Sequence, residues 1–392
     1  MKGDRPHLSV DVGTSKTVAL LISKEEEFSV GVAPSRGMNM GKIVDLEKQA
    51  ISIKEAVEKI DSPSLPDSLT LGISGEVFHI RRESATLEID SSEVEISEKE
   101  VKKVLSMAGE KAKRGSGWEV IHTIPLTYQV GEISEVVNPL YMEGKNLNIE
   151  AMVILTLSTT LDNFIRCINR AGFKVERIIF SPYPESIYLP NEEEKKLGVA
   201  TIDMGEGTTE ICIFREGKIE EMKVLPRGGK ELTRILASRL HLTLSEAERI
   251  KKEEGVCLRY LSEHHTIKAK GIKNEITISQ YEIAEILEEG VERILRDIAT
   301  VIKPHLSYLS SGFILTGGSS NLRGMVEFFE ELFNLPVRIF HPPTTILPSL
   351  PEYSSAWALM EFIRREDLDT HPLPPRFLKP FHILMNWIKE KI

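Results

Sequence analysis

The 392-residue sequence has only three cysteines, Cys167, Cys212 and Cys257, far apart and set in apolar or helical patterns. They form neither a disulfide framework nor a metal motif, which points to a reducing cytosol. No apolar run is long enough for a membrane-spanning helix. Val18 to Ile22 is too short, and the polar stretch Met1 to Pro6 does not open a signal peptide. Low-complexity tracts are missing, and so is any basic excess. The 49 Lys and Arg residues against 59 Asp and Glu give a net charge of −10, which argues against nucleic acid as a partner. The adjacent pair His264-His265 lacks partners nearby in sequence and reads as a solvated loop. What remains is an ordinary apolar fraction, 41%, in a chain long enough for two lobes with substantial cores.

Two short Asp-x-Gly loops stand out against this plain background. The first is Leu8-Ser9-Val10-Asp11-Val12-Gly13-Thr14-Ser15-Lys16, the second Val199-Ala200-Thr201-Ile202-Asp203-Met204-Gly205-Glu206-Gly207-Thr208-Thr209-Glu210. In each, an apolar strand ends in an acid, small residues follow, and a second β-branched run begins, the pattern of a hairpin. Glycine and threonine at such a turn let backbone N–H groups approach a phosphate, and the acid can hold Mg2+ against its oxygens. A single Asp-x-Gly is also an ordinary hairpin signal; two point to one nucleotide held between two halves. A third element, Phe313-Ile314-Leu315-Thr316-Gly317-Gly318-Ser319-Ser320-Asn321-Leu322, reads as a buried strand entering a Gly-Gly turn before the helical pattern Met325 to Phe333. That order would place bare backbone at a helix N-terminus, where a polar ligand fits. Alone, it is also a tight strand-to-helix turn.

Helices announce themselves by their starts. Ser97-x-x-Glu100 precedes Val101, Val104, Leu105 and Ala108, and Ser279-x-x-Glu282 opens a long pattern through Ile283, Ile286, Ile294 and Ile298 that ends before Pro304. Both are capping-box signatures. Strand-like runs alternate with them, an α/β reading. At the end, residues 376–392 place Phe377, Leu378, Phe381, Leu384, Met385, Ile388 and Ile392 within about 120° of a helical wheel, with Ile383 and Trp387 flanking the polar face. The segment carries +3 in an otherwise acidic chain and follows the Pro-rich spacer His371-Pro372-Leu373-Pro374-Pro375. A basic amphipathic end with Trp and Phe suits a membrane interface; a terminal helix docked on its own core is the alternative.

The order acid loop, acid loop, Thr-Gly-Gly resembles the actin and sugar-kinase ATPase superfamily. Within it the sequence is similar to the FtsA family, bacterial actin relatives that tie the cytokinetic ring to the membrane. The likeness is carried by Thr123-Ile124-Pro125-Leu126-Thr127-Tyr128, Asn138-Pro139-Leu140-Tyr141-Met142-Glu143-Gly144, Cys167-Ile168-Asn169-Arg170-Ala171-Gly172-Phe173, Pro226-Arg227-Gly228-Gly229 and Glu246-Ala247-Glu248-Arg249-Ile250-Lys251. It implies an actin-like two-lobed ATPase fold with an inserted α+β subdomain in the first lobe and a C-terminal amphipathic helix. The expected division is a first-lobe core at 1–79 and 158–182, with the insertion at 80–157. The second lobe spans 183–340 with a smaller subdomain at about 226–303. The chain returns to the first lobe over 341–365, followed by a linker at 366–375 and the helix at 376–392.

The resemblance also implies roles. Lys16 would reach the phosphates of ATP, with Gly13, Thr14 and Ser15 supplying backbone. Asp11 and Asp203 would hold Mg2+ and its waters. Gly205, Gly207 and Thr208 would cradle the outer phosphates, and Gly317, Gly318 and Ser319 would border the adenosine. Glu248 and Lys251 would meet ribose and adenine from one helix face, although Ser245-x-x-Glu248 also reads as a capping box. The membrane-binding residues would be Phe377, Leu378, Phe381, Leu384, Met385, Trp387, Ile388 and Ile392. Implied partners are the FtsZ C-terminal tail, further copies of the chain stacked head to tail, the anionic cytoplasmic membrane surface at the division site, and later division proteins at the inserted subdomain.

Two departures qualify this. Chaperone relatives that hydrolyse ATP carry an acid before the proline of Phe180-Ser181-Pro182; here it is Ser181. No other motif side chain is an obvious base, so no catalytic residue is assigned and at most slow hydrolysis is expected, with ATP as a conformational ligand. Many FtsA relatives carry an arginine at the place of Gly290, in the region that binds the FtsZ tail; Lys268, Lys270 and Lys273 are candidate replacements. The competing functions are a cytoplasmic pilus-assembly adaptor, which lacks a terminal membrane helix, and a sugar-kinase-type phosphotransferase, which needs an acid over a substrate cleft.

Overall fold

The computed structural model describes residues 6–23, 27–89, 95–343 and 347–365. Strands β1 (His7–Val12), β2 (Lys16–Ile22) and β3 (Phe28–Pro34) form an antiparallel meander in which Asp11 pairs with Val18. Their β-branched and leucine side chains favour pleated backbone. Val10, Val12, Val18 and Leu20 are all buried, so both faces of the sheet must be covered. The small hairpin β4 (Met38–Asn39) and β5 (Lys42–Ile43) leads to helix α1 (Leu46–Glu58), capped by the Asp45 carboxylate accepting from the Lys48 N–H. Strand β6 (Ser68–Ile73) then pairs parallel with β1, bringing Gly72 beside Asp11.

The chain next leaves this sheet. Strand β7 (Phe78–Glu88), helix α2 (Glu98–Ala112) and strands β8 (Trp118–Val130), β9 (Ile133–Val136) and β10 (Asn146–Leu157) make a separate antiparallel sheet in the order β7-β10-β8-β9. The expected box of Ser97 and Glu100 caps α2, whose Val104 and Ala108 pack on Val130, Leu147 and Ile149. Helix α3 (Ser158–Arg170) returns to β11 (Lys174–Phe180) and α4 (Pro182–Tyr188), completing the first sheet in the order β11-β6-β1-β2-β3.

After α5 (Glu192–Leu197), the second lobe repeats the meander with β12 (Val199–Met204), β13 (Thr209–Arg215) and β14 (Lys218–Leu225). Helices α6 (Gly229–Arg239) and α7 (Leu244–Glu254), the hairpin of β15 (Thr266–Lys270) and β16 (Glu275–Ser279), and α8 (Gln280–Ile302) follow. Ser279 caps α8 by accepting from the Glu282 N–H, and the helix stops two residues before Pro304. Strand β17 (Phe313–Thr316), helix α9 (Met325–Phe333) and strand β18 (Val337–Ile339) complete the order β14-β13-β12-β17-β18. Helix α10 (Ser354–Arg365) packs back on the first sheet, Leu359 and Phe362 joining Val18, Leu20 and Ile179. The fold is thus the two-lobed α/β architecture, with a subdomain inserted in the first lobe, that the motifs predict.

All three cysteines are buried and free. Among the described residues no helix is long and apolar enough to cross a membrane. The expected linker and amphipathic helix, with every predicted membrane-binding residue from Phe377 to Ile392, lie outside the described residues. His264-His265 lies in a loop as expected, with His264 exposed, but His265 has a partner, its Nε2 meeting the Glu254 carboxylate at 3.0 Å.

Candidate functional site

Both Asp-x-Gly loops are hairpin turns of the same form. The Gly13 N–H donates to the Lys16 carbonyl and the Gly205 N–H to the Thr208 carbonyl, each at 3.0 Å. The turns face each other: a Cβ at Gly207 would come within 2.8 Å of Thr14 Oγ1. Between them lies a cleft of about 370 Å3, inside the range of roughly 300–1,000 Å3 typical of small-molecule sites. It gathers every residue expected to hold nucleotide: Asp11, Gly13, Thr14, Ser15 and Lys16 from one lobe, and Asp203, Gly205, Gly207, Thr208, Glu248, Lys251, Gly317, Gly318 and Ser319 from the other.

The third loop departs from expectation in detail. Gly317 leaves β17 with φ of 81°, and a 3-10 turn, Gly318–Asn321, intervenes before α9. The bare backbone therefore leads into that turn, not directly into an α-helix. Gly317 is needed for space as well, since a Cβ there would stand 2.0 Å from Asp203 Oδ1. Ser319 Oγ donates to the Gly205 carbonyl at 3.1 Å, fastening this loop to the second acid loop.

Glu248 and Lys251 share a face of α7 and form one network. The Lys251 ammonium donates to Glu248 Oε2 (2.7 Å), Thr233 Oγ1 (3.0 Å) and the Gly229 carbonyl (3.1 Å), and Thr233 also donates to Glu248. Burial lowers the Lys251 pKa, opposed by Glu248. Burial pushes Glu248 upward, but Lys251 and Thr233 outweigh it and hold the carboxyl below its ordinary value. The competing capping-box reading of Ser245 and Glu248 is overturned. Thr243 is the cap, accepting from the Glu246 N–H at 3.2 Å, so Glu248 falls within the helix and faces the cleft. Gly290 also reads differently, because it points inward from α8 and a Cβ would come within 2.7 Å of Leu232 Cδ2. In this chain it is a helix-packing position. Lys268 is engaged by Glu275 at 3.4 Å.

The residues that sequence reasoning passed over are mostly carboxyls behind the loops. Ser181 donates to Asp11 Oδ1 at 2.9 Å. One helical turn further on, the buried Glu185 accepts from Ser355 Oγ, which also lies 3.3 Å from Asp203 Oδ2. Glu210, equally buried, accepts from Thr208 Oγ1 at 2.8 Å. Desolvation dominates all of these groups. Burial pushes Asp11 up to about 7 against the Ser181 hydrogen bond, and Asp203 up to about 6 against the Ser355 hydroxyl. Burial and the Asp203 charge push Glu210 up to about 8, and the same two causes raise Glu185 well above its ordinary value. Glu210 stood in the second motif without a role. Glu185 and Ser355 carried no signal, since only the fold brings them to Asp203.

The donor set fits Mg2+ of the kind that keeps its waters and is held by one or two carboxylates and phosphates. Among the described residues no group of three or more His, Cys, Asp or Glu is arranged to hold an ion alone. Asp203 Oδ1 is nonetheless buried without a hydrogen-bond partner among them, an oxygen left for a cation or its water.

Comparison with known proteins agrees with this geometry. The family model described as cell division protein FtsA matches residues 200–358, and that described as the SHS2 domain inserted in FTSA matches residues 75–155. The chain is 28% identical over 375 residues to the cell division protein FtsA of Bacillus subtilis, covering 93% of this chain and 85% of that one. It is 30% identical over 348 residues to the FtsA of Borreliella burgdorferi, covering 86% and 84% respectively. Among solved structures, a PilM-PilN type IV pilus biogenesis complex superposes with a TM-score of 0.66 at 16% identity, covering 90% of this chain and 97% of that one. MreB5 of Spiroplasma citri bound to ADP gives 0.59 at 14% identity, covering 91% and 96%. At such identities the structural likenesses speak for the fold alone.

Proposed function

This chain belongs to the FtsA family of cell-division proteins, and on that premise we propose that it binds ATP with Mg2+ between its lobes and tethers FtsZ filaments to the cytoplasmic face of the membrane. The observation that carries the reading is the convergence of the two acid loops and the Thr-Gly-Gly loop on one cleft. In this assignment Lys16 and the turn at Gly13, Thr14 and Ser15 bind phosphates from one side, and Gly205, Gly207 and Thr208 from the other. Gly317, Gly318 and Ser319 border the adenosine, with Glu248 and Lys251 beside the ribose. Asp11 and Asp203 hold Mg2+, which would neutralise phosphate charge. Hydrolysis is at most slow, because phosphoryl transfer depends on positioning a water and Ser181 is spent on Asp11.

The nucleotide then acts as an assembly ligand that ties the lobes together. Copies stack head to tail, since such contacts extend without closing. The segment 376–392 anchors the filament on anionic lipid, and the inserted subdomain meets later division proteins. The test is co-sedimentation with anionic liposomes and ATP, comparing the full chain with one ending at Thr370. Binding lost on truncation supports the tether and leads to FtsZ-tail titration. Equal binding by both, or none by either, removes the terminal anchor and moves a pilus-type adaptor to first place.

A further inference from the structure

Glu352 spends both carboxylate oxygens across the cleft. Oε1 meets the Lys16 ammonium at 3.2 Å, and Oε2 accepts from Asn321 Nδ2 at 2.9 Å. Lys16 opens β2 in the first lobe, whereas Asn321 ends the 3-10 turn that follows β17 in the second. The turn carrying Glu352 is itself fixed to the second lobe. Thr316 Oγ1 and the Gly317 N–H both donate to the Pro351 carbonyl, at 2.9 and 3.2 Å. Immediately afterwards α10 begins and packs on the first sheet. Tyr353 completes the arrangement, its ring 3.9 Å from the Lys16 nitrogen, a cation–π contact.

We propose that Glu352 is a phosphate-mimicking clasp, which competes with the nucleotide's phosphates for Lys16 and couples their arrival to the crossover at Pro351–Tyr353. The inference rests on the nucleotide reading above and adds a regulator to it. Burial works against the Lys16 charge and Glu352 works in its favour, so the ammonium needs an anionic partner at every stage. A phosphate that takes Lys16 leaves the Glu352 carboxylate beside like charge, a penalty that grows with the charge of the ligand. Displacing the carboxylate also frees Asn321 and loosens the turn's hold between lobes. Glu352 therefore lowers affinity for triphosphate more than for diphosphate and leaves adenosine untouched.

The experiment is calorimetric titration of ATP, ADP and adenosine, at constant Mg2+, into the full chain and into Glu352→Gln and Glu352→Ala. Glutamine keeps the Asn321 hydrogen bond, so Glu352→Gln should retain the wild-type melting profile. ATP should bind Glu352→Gln about two- to fivefold more tightly, the range of a partly exposed charge pair, ADP by less and adenosine equally. Wild-type binding with unchanged or weaker ATP affinity in both variants overturns the clasp and leaves the nucleotide site standing. No ATP binding by any of the three chains overturns both.

Discussion

The two lobes share one frame and differ in where each lets the chain leave it. Three antiparallel strands followed by two parallel ones make the first sheet (β1, β2, β3, β6, β11), and the second repeats the path with β12, β13, β14, β17 and β18. The first lobe departs after its fourth strand, and none of the described residues from β7 through β10 lines the cleft. The second departs after its third, and that excursion brings Leu232, Glu248, Lys251 and Lys252 into it. The point of departure, more than the frame, decides which lobe builds the wall that carries Glu248 and Lys251. The hairpins differ too. Val18 stands opposite Asp11 in the register where Glu210 stands opposite Asp203, so one lobe backs its acid with a methyl surface and the other with a second carboxyl.

The sharpest break in that comparison is a methyl group. Gly317→Ala would push Cβ against Asp203 Oδ1 at a φ of 81°, whereas Gly13→Ala meets the Lys16 carbonyl only at 3.1 Å and with no positive φ. The first change should cost about 3 kcal/mol by chemical denaturation and abolish ATP binding, the second less than about 1 kcal/mol. Equal costs would mean that the Thr-Gly-Gly loop is as tolerant as the first acid loop. Next in size is the pair Asp203→Asn and Asp11→Asn. Each acid has one oxygen engaged, Asp11 by Ser181 and Asp203 by Ser355, but of the two it is Asp203 whose other oxygen is buried without a partner among the described residues. Mg2+-dependent ATP affinity should fall about 10- to 100-fold for Asp203→Asn and less for Asp11→Asn, on the scale of charged hydrogen bonds. Calorimetry with and without Mg2+ separates them, and equal losses in the two variants would contradict the asymmetry.

How much of this was legible in the sequence follows from distance along the chain. Each hairpin is local, so Asp11 to Lys16 and Asp203 to Thr208 could be read from alternation, acid and glycine. The caps of α2 and α8 were local as well. Failures came where two local signals competed or where partners meet only in the fold. Ser245 read as a cap of α7, whereas Thr243, two residues earlier, is the cap. The inward face of Gly290 depends on α6 lying against α8. Ser181, Glu185, Ser355 and Glu352 meet the residues of the cleft or one another from both sides of the lobe boundary, a juxtaposition no periodicity encodes.

The buried carboxyl opposite Asp203 gives the comparison a pH signature. Burial, together with the Asp203 charge directly opposite on the sheet, pushes Glu210 up to about 8 in the fold. Unfolded, it would lose its proton near the ordinary glutamate value, about 4.3. The native chain therefore binds this proton more tightly than the unfolded one, and stability must fall as pH rises. The contribution is complete below the unfolded value and is lost as pH passes through about 8. Glu210→Gln keeps an acceptor for Thr208 and removes the ionisation. Measured without nucleotide or Mg2+, its stability relative to wild type should grow steadily as pH rises from 5 to 9. A difference independent of pH would show that Glu210 is not the titrating group.

The smallest expected effect tests the claim that the first lobe's excursion is separate from the cleft. Ser97 starts α2 by accepting from the Lys99 N–H at 3.2 Å, while the Ser97 N–H donates to Glu100 at 3.1 Å. Ser97→Ala leaves backbone donors at that end unpaired and should cost about 1 kcal/mol. The loss falls on the core that α2 makes with β8 and β10, through Val104, Ala108, Val130 and Leu147. ATP affinity should stay within about twofold of wild type, since sites without shared partners act additively. Hydrogen exchange localises the first effect and calorimetry measures the second. If ATP binding weakens in step with α2, the insertion is coupled to the nucleotide loops. Arg82 offers the route for that, because it bridges β7 in the insertion to Glu220 on β14 of the second lobe at 3.4 Å. Ser97→Ala and Arg82→Ala together then decide the matter: a loss confined to the inserted sheet means an excursion independent of the cleft, and a loss relayed through Arg82 means an excursion that reports to the second lobe's sheet.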